Sequence, residues 1–118
     1  MTVQEFYKLT ESDYQVAQSR LMNDLFITKM LKKFAMNDYY QPILDAHASH
    51  DVKKLFDSIH ALKGVAGNLS LTSLYELSSV ITEKVRGKGE GDPLDVDEEI
   101  KLLGDKYKNI VELINLLP

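Results

Sequence analysis

Apolar residues recur three and four positions apart in one segment of this chain after another, and nowhere do they alternate with polar residues over the length of a strand. That pattern restricts the chain to an all-α fold. Between residues 2 and 21, Val3, Phe6, Tyr7, Tyr14, Ala17 and Leu21 predict one or two short amphipathic helices with a break near Thr10 to Ser12. Residues 24–36 predict a longer helix with Leu25, Phe26, Met30 and Phe34 on its apolar stripe and Lys29, Lys32 and Lys33 on other faces. Pro42 falls inside the next pattern, Tyr39 to Ala48. Its missing N–H would cost an interior hydrogen bond, so the chain is expected to bend near Asn37 and Asp38 and restart. Asp51 is a natural N-cap for a third long segment whose stripe is Val52, Leu55, Phe56, Ile59, Leu62, Ala66 and Leu69. Ser70 would cap a further helix from Leu71 to about Arg86, carrying Leu74, Leu77, Val80, Ile81 and Val85.

The run Gly87-Lys88-Gly89-Glu90-Gly91-Asp92-Pro93 holds three of the six glycines and one of the three prolines, so it must be a loop. Asp95 with Glu98 resembles a capping box opening the last helix, whose stripe is Ile100, Leu103, Tyr107, Ile110, Ile114 and Leu117. One helix of about three heptads beside other amphipathic helices packs within its own domain more often than it dimerises, so a monomer is expected. At 118 residues the chain has room for one domain, spanning residues 1–118.

Charge and composition remove several function classes. The net charge is −4 and no basic stripe with interleaved aromatics appears, so nucleic acid is not an expected partner. The absence of cysteine excludes a disulfide framework, a thiolate metal site and a cysteine nucleophile. Glu5, Lys8, Glu11, Asp13 and Arg20 are too many charges for a signal-peptide core. No apolar run reaches membrane-spanning length, so a cytoplasmic location and no membrane association are expected.

Chemistry concentrates at His60-Ala61-Leu62-Lys63-Gly64-Val65-Ala66-Gly67, inside the third long helix. Each glycine there costs about 1 kcal/mol relative to alanine, which a sequence built only for stability would avoid. On a helical wheel His60 lies roughly 130° from the centre of the apolar stripe, toward solvent. Lys63, Gly64 and Gly67 follow it by three, four and seven residues and share its face. A neutral imidazole is a competent nucleophile near neutral pH, a lysine offsets phosphoryl charge, and glycines leave room for a partner's active site. His47 and His50, three apart beside Asp51, supply too few ligands for a tetrahedral metal site and read as solvated helix-end residues, so no metal is expected. Lys29, Lys32, Lys33, Lys53 and Lys54 read first as solvated charges and second as a docking patch.

The pattern His60-x-Leu62-Lys63-Gly64-x-Ala66 resembles the signature of the histidine phosphotransfer (HPt) domains of multistep phosphorelays. The run Arg20 to Phe26, followed by Leu31, Phe34, Leu44 and Asp51, and the later Leu74, glycine-rich loop and final helix extend the similarity over roughly residues 13–117. The resemblance implies an antiparallel four-helix bundle with short N-terminal helical additions. By the same resemblance His60 is the phosphoacceptor, Lys63 stabilises the phosphoryl group, and Gly64 and Gly67 give clearance for a docked receiver, which Met22 and Phe26 could contact. The chain would take a phosphoryl group from a receiver-domain aspartyl-phosphate and pass it to another receiver aspartate. Response-regulator receivers, and a hybrid histidine kinase, are the implied partners.

Gly87, Gly89 and Gly91 match neither the P-loop nor the dinucleotide fingerprint, so a phosphocarrier without its own ATP site or cofactor is expected rather than an enzyme, Mg2+ being supplied by the receiver. The rival reading is a non-catalytic helical docking module for a receiver or kinase. A di-metal helical-bundle enzyme lacks the paired Glu-x-x-His motifs it would need. Many HPt domains have glycine where this chain has Ser70, so the end of the histidine helix is where a local departure is expected.

Overall fold

Short polar side chains set the start of most helices. Thr2 and Glu5 form a reciprocal capping box, and the carboxylate or amide oxygens of Asp13, Asn23 and Asp51 accept from the N–H groups of Val16, Phe26 and Lys54. Pro42 sits in the first turn of its helix, where no intrahelical N–H is needed. The computed structural model describes residues 1–118 as seven helices and no strand: α1 (Val3–Leu9), α2 (Tyr14–Leu21), α3 (Asp24–Met36), α4 (Gln41–Ala48), α5 (Val52–Asn68), α6 (Thr72–Val85) and α7 (Asp97–Ile114).

Helix α4 packs on α5, α5 on α6, α6 on α7, and α7 returns to α3. Because α3 and α4 are consecutive pieces of one limb, these contacts close a four-helix bundle, with α1 and α2 packed on α3 and on each other. Only residues 69–71 join α5 to α6, which forces that pair to run antiparallel. The break between α3 and α4 is stitched by Tyr107 of α7, whose hydroxyl accepts from the Tyr39 N–H at 3.0 Å and donates to the Asn37 carbonyl at 2.9 Å. Gly104, one turn earlier, leaves room for the Tyr40 ring: a Cβ there would collide with it, and the Tyr40 hydroxyl donates to the Ile100 carbonyl at 2.9 Å. No helix is long and apolar enough to cross a membrane.

Several expectations change. Leu25 and Phe26 do not face the core: they are 84% and 42% exposed, and α3 buries Ile27, Leu31 and Phe34 instead. With Asn23 as N-cap, residues 25 and 26 fall in the first turn, off the arc those three define. Val80 also faces out, while Ser78 and Thr82 are buried. The Thr82 hydroxyl donates to the Ser78 carbonyl at 2.7 Å, which makes a buried threonine tolerable. Asp95 and Glu98 form no capping box. The last helix starts at Asp97 with three carboxylates, Asp97, Glu98 and Glu99, favourably placed at the positive end of its dipole.

Nor does Ser70 cap α6. It occupies the left-handed position that terminates α5, with φ at 54°. The Leu71 N–H reaches back to the Ala66 carbonyl at 2.9 Å and the Ser70 N–H to the Gly67 carbonyl at 3.1 Å, the paired bonds of a Schellman ending. Glu11 and His50 end α1 and α4 in the same way, at φ of 51° and 55°. The left-handed conformation costs a non-glycine residue roughly 1–2 kcal/mol. The Ser70 hydroxyl is also buried without a partner. Glycine would relieve both costs and lose back roughly 0.5–1 kcal/mol in unfolded-chain entropy. Ser70→Gly is therefore expected to stabilise the protein by about 1 kcal/mol, seen as a higher urea midpoint at unchanged m-value.

Candidate functional site

Helix α5 buries Leu55, Ile59, Leu62 and Ala66 and thereby turns His60 outward, where it is exposed as the wheel requires. The imidazole lies parallel to the ring of Phe56, one turn earlier, with centroids 5.8 Å apart and planes 7° from parallel. Beside His60 opens a concavity of about 510 Å3. Lys63, Gly64 and Gly67 line it with His60, joined by Arg20 from α2 and Tyr75 from α6.

The two glycines differ in what surrounds them. A Cβ on Gly64 would meet nothing within 4 Å, so the space above it is open. A Cβ on Gly67 would lie 3.3 Å from two atoms of the Tyr75 ring, so that glycine has a packing reason within the chain itself. The Lys63 ammonium rests 5.7 Å from the centroid of the same Tyr75 ring. Met22 and Phe26 do not line the concavity: Met22 is 82% exposed in the turn after α2, and Phe26 is half exposed at the start of α3.

The N-terminal helices hold the far end of α5. The Tyr7 hydroxyl donates to the Leu69 carbonyl at 2.6 Å, and Arg20 donates to the Gly67 carbonyl at 2.9 Å. The Asp13 N–H reaches the Ser70 carbonyl at 3.2 Å. Carbonyls at a helix C-terminus have no intrahelical donor, so α1 and α2 complete the helix that carries His60. Burial pushes the Tyr7 phenol well above its ordinary range, which keeps it a donor. Tyr7→Phe leaves the Leu69 carbonyl without this donor. An expected loss of about 1–3 kcal/mol would lower the urea midpoint.

The remaining histidines stand apart. His47 is not simply solvated: its Nε2 lies 2.8 Å from the Asp97 carboxylate at the start of α7. Lys32 donates to the Leu117 carbonyl and Lys53 pairs with Asp57, so two lysines of the basic set are already engaged within the chain. No group of three or more His, Cys, Asp or Glu side chains is placed to hold a metal ion. A second concavity, about 530 Å3 between the end of α3 and α7, is lined by Met36, Tyr40 and Tyr107 and contains no histidine.

Sequence reading did not single out Phe56, Tyr75 or Arg20 as part of the site. Phe56 reads as part of the core stripe, although its spacing of four from His60 also signals a shared face. Tyr75 follows Leu74 and so lies off the buried arc of α6. Arg20 carries no local signal, because only tertiary packing brings α2 to the end of α5. In comparison with known proteins, the family model described as Hpt domain matches residues 15–114. No curated protein and no solved structure gives a significant match.

Proposed function

The chain belongs to the Hpt domain family, whose members carry phosphoryl groups on histidine in two-component signalling, and from that premise we propose that His60 is its phosphoacceptor. The chain is then a phosphorelay intermediate between the aspartates of two receiver domains. The observation that carries this reading is an exposed imidazole one turn from Gly64, the helical glycine at which nothing stands within 4 Å of a would-be side chain.

In the accepting step the unprotonated ring nitrogen of His60 attacks the phosphorus of an aspartyl-phosphate. A P–N bond forms as the P–O bond to the carboxylate breaks, the electron pair returns to the aspartate, and the proton on the opposite ring nitrogen passes to water. Transfer onward reverses these bond changes with a second aspartate. Lys63 is the local cation. Its contact with Tyr75 is worth about 0.5–1 kcal/mol at an exposed site. A phosphoryl group with nearly two negative charges attracts an ammonium at ~4 Å by about 2 kcal/mol even in water. The lysine therefore exchanges the aromatic ring for the phosphoryl oxygens when His60 is loaded. Mg2+ would be held by the receiver, and phosphoryl transfer needs little from this side beyond position and charge. Receiver domains, and a hybrid histidine kinase upstream, are the partners this chemistry fits.

The test is incubation with a receiver carrying radiolabelled aspartyl-phosphate. An acid-labile, alkali-stable label appearing on this chain, and leaving it when a second receiver is added, supports the proposal. Stable binding of the receiver with no label on this chain would establish a docking module instead.

A further inference from the structure

Phosphoryl transfer depends on in-line placement of the nucleophile, and a histidine on a solvent-facing helix turn can exchange between its allowed rotamers unless a neighbour restrains the ring. Here the neighbour is Phe56. Helical side chains lean toward the N-terminus, so the imidazole of His60 leans over the residue four positions earlier, and the two rings lie 7° from parallel. The Phe56 ring has neighbours of its own. It is half buried against the core, and the Arg86 guanidinium lies 5.2 Å from its centroid. Arg86 is in turn held by Glu83 through contacts of 3.1–3.3 Å. Phe56 and Arg86 line a hollow separate from the concavity that Lys63 and Gly64 share with His60. The phenyl ring is thus a wall on one side of the imidazole, and the open turn is on the other.

We infer that Phe56 is a positioning residue for transfer: its ring holds the His60 imidazole in the orientation presented to the open side. The inference rests on His60 being the phosphoacceptor and adds a residue to that site. As a positioning residue Phe56 acts through His60, so its loss should slow the step inside the complex more than it weakens docking. Phe56→Leu and Phe56→Met keep apolar volume but remove the planar surface. Each is expected to lower the rate constant for transfer at saturating receiver by roughly tenfold, with the half-saturating receiver concentration little changed. Phe56→Tyr keeps the plane and should restore the wild-type rate. A role in folding alone would lower thermal stability without this split.

Nuclear Overhauser contacts between the two rings in the unmodified protein, lost in Phe56→Leu, would support the inference, and their absence would overturn it. Wild-type rates in both Phe56→Leu and Phe56→Met would overturn it alone, leaving the phosphoacceptor reading standing. An unmodified chain that takes no label on His60 would overturn both.

Discussion

His60→Gln is expected to abolish phosphoryl acceptance, with labelling from a phosphorylated receiver falling at least a thousandfold. Glutamine has similar reach and remains polar, but its amide nitrogen has no available lone pair and cannot attack phosphorus. The change should cost the fold little. His60 is exposed and outside the buried stripe of α5. Glutamine is the better helix former by a few tenths of a kcal/mol, which offsets part of the lost ring stacking, worth about 0.5–1.5 kcal/mol. Stability should therefore stay within about 1 kcal/mol of the parent by urea denaturation. Radiolabel transfer and a urea curve on the same preparation separate the chemical effect from unfolding.

Gly64→Leu should move stability and transfer in opposite directions. A glycine in an exposed helix interior costs about 0.8–1 kcal/mol relative to good helix formers, and no neighbour lies within 4 Å to resist a side chain. The variant should be more stable by about 0.5–1 kcal/mol. Yet the same leucine would stand one turn from His60, in the space that a docked receiver would enter if His60 is the phosphoacceptor. A displacement of about 1 Å in such a step costs on the order of a hundredfold, so transfer should fall by roughly that factor. Stopped-flow or quench-flow transfer rates beside thermal melts would show it. Gly67 offers the contrast. Tyr75 already lies against it, so Gly67→Ala requires that ring to give by a few tenths of an ångström, a cost within the chain itself before any partner is involved.

Much of the fold was legible because long amphipathic helices announce themselves by period. The bounds of α3 follow from Asn23 and the stripe beyond it, and those of α5 from Asp51 and seven apolar positions at helical spacing. His60 could be placed on the outer face by the same wheel. The losses fall where tertiary structure outweighs local pattern. Glu11, His50 and Ser70 end three helices in a left-handed conformation that usually advertises itself as glycine, so a serine there read as the start of the next helix rather than the end of the last. Leu25 and Phe26 looked like core because they are apolar and adjacent to a stripe, but the phase of α3 is set by Ile27, Leu31 and Phe34. Gly104, a glycine inside a long helix, is a sign that something packs against it, and only tertiary structure shows that this is Tyr40. The support that Tyr7 and Arg20 give to the end of α5 spans 62 and 47 residues of sequence, a range at which periodicity carries no information.

The most direct measurement is to find where the phosphoryl group resides. The unmodified chain, loaded from a phosphorylated receiver and kept at neutral to alkaline pH, can be mapped by tandem mass spectrometry and by phosphorus–proton correlation to the imidazole ring protons. A single phosphoryl group on a ring nitrogen of His60, with none on His47 or His50, is the predicted result. A phosphoryl group on any other residue, or a receiver that binds this chain while no residue of it gains phosphate, would contradict the assignment of His60 as the phosphoacceptor.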